Sequence, residues 1–418
     1  MHFSLNQGHP TGLTIRPLLT ALVTVLTLAS TPAWAQKITT VEGLTLEQTL
    51  VQLANPLGAR QIGQSIGLTT ALEIATAPFG TSSGGFVFKL DPATGLLARV
   101  TQTFGPSFSD SALTAGEGKL NMGATFSSTT YDKLSKFGLN NLPLGSVTSS
   151  NPLLARTGTG DFHLSSKTLA IAASVGLTEK VDVAVVVPLI RTEIEATTTN
   201  VRGDGVVTRL AETNGIYSGI GDVAAKVKFK VGKLPGPPIP DPGGLALMLT
   251  MRLPTGSREN LRGLGVTRTL ASLAFSAGKG KFKPHITGGF EFWSKSVDIP
   301  TGSATGALIK VRHQAQLAAG FEIAAAPKVT LLLDFLGQKI RKGGEVGVVS
   351  DPGAPNSGIT SVQSLVVLPE GILKGIVVPG IKVNLKGKLL LSLNALVTMK
   401  NNGLHSKVTP VVGLNLTM

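Results

Sequence analysis

The chain has 418 residues, of which 42% are hydrophobic and only 15% charged, too apolar a composition for a disordered polypeptide. It contains no cysteine, which excludes disulfides, thiolate catalysis and thiolate metal sites. The net charge of +14 raises the question of nucleic acid, but the lysines recur singly, without interleaved aromatics for base stacking, so no nucleic-acid partner is expected; acidic lipid headgroups or an anion-attracting lumen account for the sign better.

In chain order, the first element reads as an export signal. Arg16 precedes an apolar run over 17–30, and Ala33, Trp34 and Ala35 form a small-x-small site, which puts cleavage between Ala35 and Gln36. Arg16 is the only charged residue of this signal, so the remainder holds 37 basic and 24 acidic residues. Beyond it there is no apolar run of about 18 residues, and no transmembrane helix is expected. Residues 36–117 form an N-terminal segment, expected either to plug a lumen or to hang in the periplasm. Within it, 43–56 predicts a helix: Thr45 and Gln48 have capping-box spacing, and Leu46, Leu50 and Leu53 share a face. A short hairpin is expected over 86–103, turning around Asp91, Pro92 and Gly95. It would either add two strands or sit in the plug.

From about 84 onward the hydrophobic period is two almost everywhere, and residues 118–418 are expected to form the barrel. In residues 223–231, Val223, Ala225, Val227, Phe229 and Val231 alternate with Ala224, Lys226, Lys228 and Lys230. Twelve strands are expected, at about 118–131, 161–177, 181–196, 219–231, 244–254, 268–278, 282–295, 311–325, 328–341, 376–386, 388–400 and 407–418. Most are longer than the 5–6 residues usual in soluble sheets and reach the 9–11 that a tilted bilayer strand needs. Tight turns at 177–181, 278–282, 325–328 and 386–388 alternate with long connections at 132–160, 197–218, 255–267, 296–310 and 342–375. Even strand number, alternating loop length and both termini at one end describe an all-β fold, a transmembrane antiparallel up-and-down β-barrel of 12 strands, or 14 if the hairpin joins. Residues 232–243 are long for a periplasmic turn, 401–406 are short for an external loop, and Met418 stands where such barrels usually carry an aromatic. The polar face carries Lys226, Lys228, Lys230, Arg252, Lys283, His285, Glu291, Arg312, Gln314, Gln316, Glu322 and Asp334. In a barrel these line a wet lumen, and the lysine row biases it toward anions; in a soluble sandwich they are simply the wet face.

Several stretches resemble a family of bacterial outer-membrane barrels linked to the meta-pathway of phenol degradation. They are residues 84–92 and 116–121, 176–183 with Val187 and Pro188, 218–223, 251–256 with 260–265, 283–285, and 407–413. Together they span 84–418. The resemblance implies a barrel related in style to the outer-membrane fatty-acid transporters, taking up small hydrophobic or aromatic compounds. Asn55 and Pro56 resemble the plug of those transporters.

Catalytic constellations are not found. His163, His285, His313 and His405 are scattered, without metal-ligand spacing, and the chain has no G-x-S-x-G elbow. Gly219 with Gly221, and Gly263 with Gly265, are incomplete phosphate loops that open no helix. No enzyme activity, metal or cofactor is expected. The expected function is passive or facilitated passage of small molecules through the outer membrane. The expected partners are outer-membrane lipid and lipopolysaccharide, the barrel assembly machinery and small-molecule solutes. The alternatives are a non-conducting structural or adhesive barrel and a secreted all-β binding protein.

Overall fold

A computed structural model describes residues 44–54, 60–80, 88–90, 97–99, 101–236, 242–278, 280–301, 307–353 and 355–418. The expected export signal with Ala35 and Gln36, the Asn55–Pro56 pair and the turn of the 86–103 hairpin lie outside the described residues.

Twelve strands form a closed antiparallel barrel: β1 (Leu120–Tyr131), β2 (Arg156–Gly176), β3 (Val181–Arg202), β4 (Ala224–Lys233), β5 (Gly243–Arg252), β6 (Arg268–Ala277), β7 (Phe282–Trp293), β8 (Gln314–Ala326), β9 (Val329–Ile340), β10 (Ile372–Lys386), β11 (Leu389–Asn401) and β12 (Val408–Thr417). Each pairs with its neighbours in sequence, and β12 closes on β1 from Val411 opposite Ser127 to Thr417 opposite Asn121. The backbones of Leu120 and Met418 bond each other in both directions, at 3.1 and 2.7 Å, so the chain end is sealed without an aromatic. The stubs Phe88–Leu90 and Leu97–Arg99 pair only with each other, with Leu90 opposite Leu97. They stay outside the ring, which removes the fourteen-strand alternative.

The alternation points the apolar face outward. On β4, Val227 and Phe229 are 46% and 45% exposed, whereas Lys228 and Lys230 are 3% exposed. Leu247 and Leu249 on β5, Leu331 and Phe335 on β9, and Val412 and Leu414 on β12 follow the same rule. A soluble sandwich would hide these side chains between sheets; here they stand on the exterior of a closed wall, where bilayer hydrocarbon is the natural cover.

The long connections are more structured than the sequence suggests. Four further strands extend the wall beyond the ring at the long-connection end. Val207–Ile220 pairs with the far half of β3, Leu142–Ser149 with the start of β2, Ile359–Leu368 with Leu142–Ser149, and Glu345–Pro352 with Ile359–Leu368. β3 is therefore shared: its first residues pair with β4, and those from Leu189 on pair with Val207–Ile220.

Two helices close this end. α1 (Leu46–Ala54) starts with the capping box: Gln48 N donates to Thr45 Oγ1 at 3.2 Å, and Thr45 N donates to Gln48 Oε1 at 2.9 Å. The Glu47 and Leu46 amides donate to Glu259 O and Asn260 Oδ1 of the loop after β5, which satisfies donors that a helix start leaves open. α2 (Arg60–Thr76) lies against α1 so closely that a Cβ on Gly63 would collide with the Leu50 backbone. Leu46, Leu50, Leu68 and Leu72 pack with Leu261, Trp293, Ile299, Val346, Leu365 and Leu404 in one apolar cluster. The long-connection end is thus capped by a dry core of the kind found inside soluble proteins.

Candidate functional site in the barrel lumen

The C-terminus of α2 points into the lumen, and the wall catches it. Arg268 Nη2 donates to Ala75 O at 3.0 Å and Gln338 Nε2 to Thr76 O at 3.3 Å. Lys374 Nζ donates to Thr76 Oγ1 at 2.9 Å and pairs with Glu73 at 2.7 Å. Cations at a helix C-terminus meet the negative end of its dipole. The chain then passes Phe79, whose ring lies 5.0 Å below the Arg252 guanidinium carbon.

Residues 101–119, called here the strap, cross the lumen nearer the short-turn end and lead into β1. They have no regular secondary structure, so their backbone groups need partners from outside the segment. Inward side chains of the wall supply them. Lys382 Nζ donates to Pro106 O at 2.8 Å and Phe104 O at 3.3 Å, and Thr330 Oγ1 accepts from Phe104 N. Asp334 accepts from Phe108 N at 3.1 Å, Ser109 N at 3.4 Å and Ser109 Oγ at 3.0 Å. Thr287 donates to Asp110 O, Ser276 accepts from Ala112 N, Lys228 donates to Leu113 O, and Asp182 accepts from Ala115 N. Lys226 Nζ grips both carboxylate oxygens of Asp110 at 2.5 and 2.6 Å. Burial works to raise the Asp110 carboxyl, but Lys226 and Lys228 outweigh it and hold the group below the ordinary carboxylate value.

A row across three strands orients Asp334. His285 on β7 stands opposite Gly320 on β8, which stands opposite Asp334 on β9. Because Gly320 has no side chain, His285 Nε2 reaches over it to Asp334 Oδ1 at 2.7 Å; a Cβ there would sit 2.8 Å from that nitrogen. His285 Nδ1 faces Glu322 Oε1 at 3.7 Å.

Further along the lumen, Arg252 and Arg268 stand opposite each other on β5 and β6. Two adjacent cations repel, and two acids offset them. Asp222 pairs with Arg268 at 3.1 Å, and Glu291 lies 3.7 Å from Arg268 and 3.6 Å from Arg252. Trp293 Nε1 and Gln314 Nε2 donate to Glu291 Oε1.

Of the residues singled out in the sequence, Lys228, Lys230, Lys283, His285, Glu291, Glu322 and Asp334 are buried in the wall, and half-buried Lys226 and Arg252 line a lumen cavity. Arg312 stands apart. It is exposed in the connection before β8, where His313 takes a left-handed φ of 58° and interrupts the expected 311–325 strand. Asp182, Arg268, Ser276, Thr287, Thr330, Lys374 and Lys382 were not singled out. Asp182 was legible, because it alternates with Val181 and Val183 on an expected strand; the strap partners Phe108, Ser109 and Asp110 carry no local signal.

Between cap and strap the lumen holds a cavity of about 140 Å³ lined by β3–β9, and a second of about 60 Å³ against β1, β2 and β10–β12. Phe79, Gly80 and Phe108 border both. Among the described residues no group of three or more His, Asp or Glu could hold a metal ion.

No family model matches the chain, and no curated protein matches it in sequence. Solved structures similar to it include an outer membrane channel from Pseudomonas putida F1, at 11% identity and TM-score 0.43, covering 73% of this chain and 98% of that one. Another is the P. putida toluene transporter TodX, at 10% identity and TM-score 0.34, covering 73% and 91%. A third is a Pseudomonas aeruginosa FadL homologue, at 9% identity and TM-score 0.32, covering 82% and 98%. The closed barrel is defined by the chain's own strand register, independently of these likenesses.

Proposed function

We propose that the protein is a plugged channel of the bacterial outer membrane, passing small molecules down their gradient, hydrophobic or aromatic ones among them. The observation that carries this reading is the polar seam between strap and wall. Apolar side chains fill part of the strap's space, with Phe104 against Leu390 and Phe108 against the Leu336 cluster. Its backbone is held by side-chain hydrogen bonds from the wall, and Asp110 by an ion pair, contacts that water can replace when it shifts. In this reading the inward lysines first anchor the strap, and they bias the path toward anions once it has moved. Residues 1–35 are removed between Ala35 and Gln36, the assembly machinery inserts the barrel, and its apolar band meets lipid and lipopolysaccharide. The motifs over 84–418 support aromatic solutes of the kind met in phenol degradation.

Planar-bilayer recording tests it. The wild type should give small, infrequent conductance steps, and Lys382→Met, which removes the donor to Phe104 O and Pro106 O, should lengthen the open periods. A barrel that stays silent in both forms, and passes no benzyl alcohol or phenol into liposomes, would be a structural protein instead.

A further inference from the structure

The larger lumen cavity has a lining of unequal charge. It is bordered by Lys226, Asp110 and Arg252. Lys226 and Asp110 neutralise each other through two short contacts. Arg252 has no such partner on the lining. Its nearest carboxylate, Glu291 Oε2, is 3.6 Å from Nε and sits behind it, fully buried and shared with Arg268. Among the described residues, Arg252 Nε and Nη1 are buried without a hydrogen-bond acceptor. A guanidinium left this way carries an unmet desolvation cost, and a carboxylate is the group whose geometry meets it.

The rest of the cavity is apolar in part: Phe79 lies 5.0 Å from the guanidinium carbon and packs with Val186 and Ala224, Phe108 packs with Leu336, and Leu270 is also on the lining. Its volume of about 140 Å³ is close to the roughly 150 Å³ that holds one benzene ring. We infer that this cavity, with the Arg252 guanidinium and apolar lining residues that include Phe79, Leu270 and Leu336, binds a compact apolar monocarboxylate about one ring in size. The inference rests on the channel reading and names its solute class: the carboxylate pairs with Arg252, and the ring takes the apolar side.

Equilibrium binding of benzoate and of neutral, nearly isosteric benzamide to the detergent-solubilised full chain tests it. Benzoate should bind at least tenfold tighter than benzamide, and Arg252→Gln should remove that preference while leaving benzamide binding in place. Equal affinities, or binding of neither probe, overturn the inference. If Arg252→Gln fails to fold, the two-probe comparison on the unchanged protein decides alone. Benzoate preference without conductance or flux upholds the site and removes the channel. Flux of neutral solutes without benzoate preference removes the site and leaves the channel.

Discussion

The chain stops its own barrel twice, by different physical means. The cap joins Leu46, Leu50 and Leu72 to Trp293, Ile299 and Leu404 in a dry cluster. The strap joins backbone amides and carbonyls of 104–115 to Asp334, Lys382, Lys228 and Asp182 on the wall. Apolar burial is non-directional and disappears only when the whole cluster opens. Hydrogen bonds exchange with water at small net cost, about 0.5–1.5 kcal/mol each. On the proposed reading the cap stays shut while the strap, which also packs Phe104 against Leu390, shifts, and the comparison can be broken at either stopper.

The largest effect is expected in the cap. Leu72→Ala removes a side chain that is 1% exposed and should cost about 2–5 kcal/mol of cap stability. Trp293 lies in the same cluster, and the other of the two tryptophans, Trp34, lies in the segment expected to be removed as an export signal. Trp293 fluorescence during denaturant titration therefore reports the cap. Unchanged unfolding of that signal would mean that the cap is not an independent core. Next comes Asp334→Ala, which strips the acceptor from Phe108 N, Ser109 N and Ser109 Oγ. It should loosen the strap by about 1.5–3 kcal/mol, the range for bonds to a charged group. Proteolysis within 104–115 should accelerate while Trp293 emission holds. If both signals move together, cap and strap form one unit and the contrast between them is lost.

The barrel was legible because lipid imposes a rule on every strand: Leu331, Leu333 and Phe335, or Val408, Val412 and Leu414, must recur with period two whatever the lumen does. The Thr45–Gln48 box was legible because capping is local. α2 was not. Thr69, Thr70, Ala71 and Leu72 are all buried, so the helix shows no polar face to contrast with an apolar one. Val207–Ile220 was missed because its residues follow no alternation. The strap anchors were hidden for a different reason. Lys226 and Asp110 are 116 positions apart, and only closure of the barrel around the N-terminal segment brings them together. Polar wall positions can be read from alternation; what they hold cannot.

The smallest effect tests the strap's charge pair by pH. Asp110 is held below the ordinary aspartate value of about 3.9, so its pairing with Lys226 contributes fully above that value and is lost as pH falls through the lower folded value. Conductance should therefore stay constant from neutral pH to about 4 and rise only below it. Asp110→Asn and Lys226→Met should each abolish that acid step, and the double variant should add little to either single one. A coupling of about 1 kcal/mol suits a mostly buried pair that keeps some contact with the cavity. An acid step that survives both Asp110→Asn and Lys226→Met would instead shift control of the strap from its own carboxylate to the wall groups that hold its backbone, Asp334 first among them.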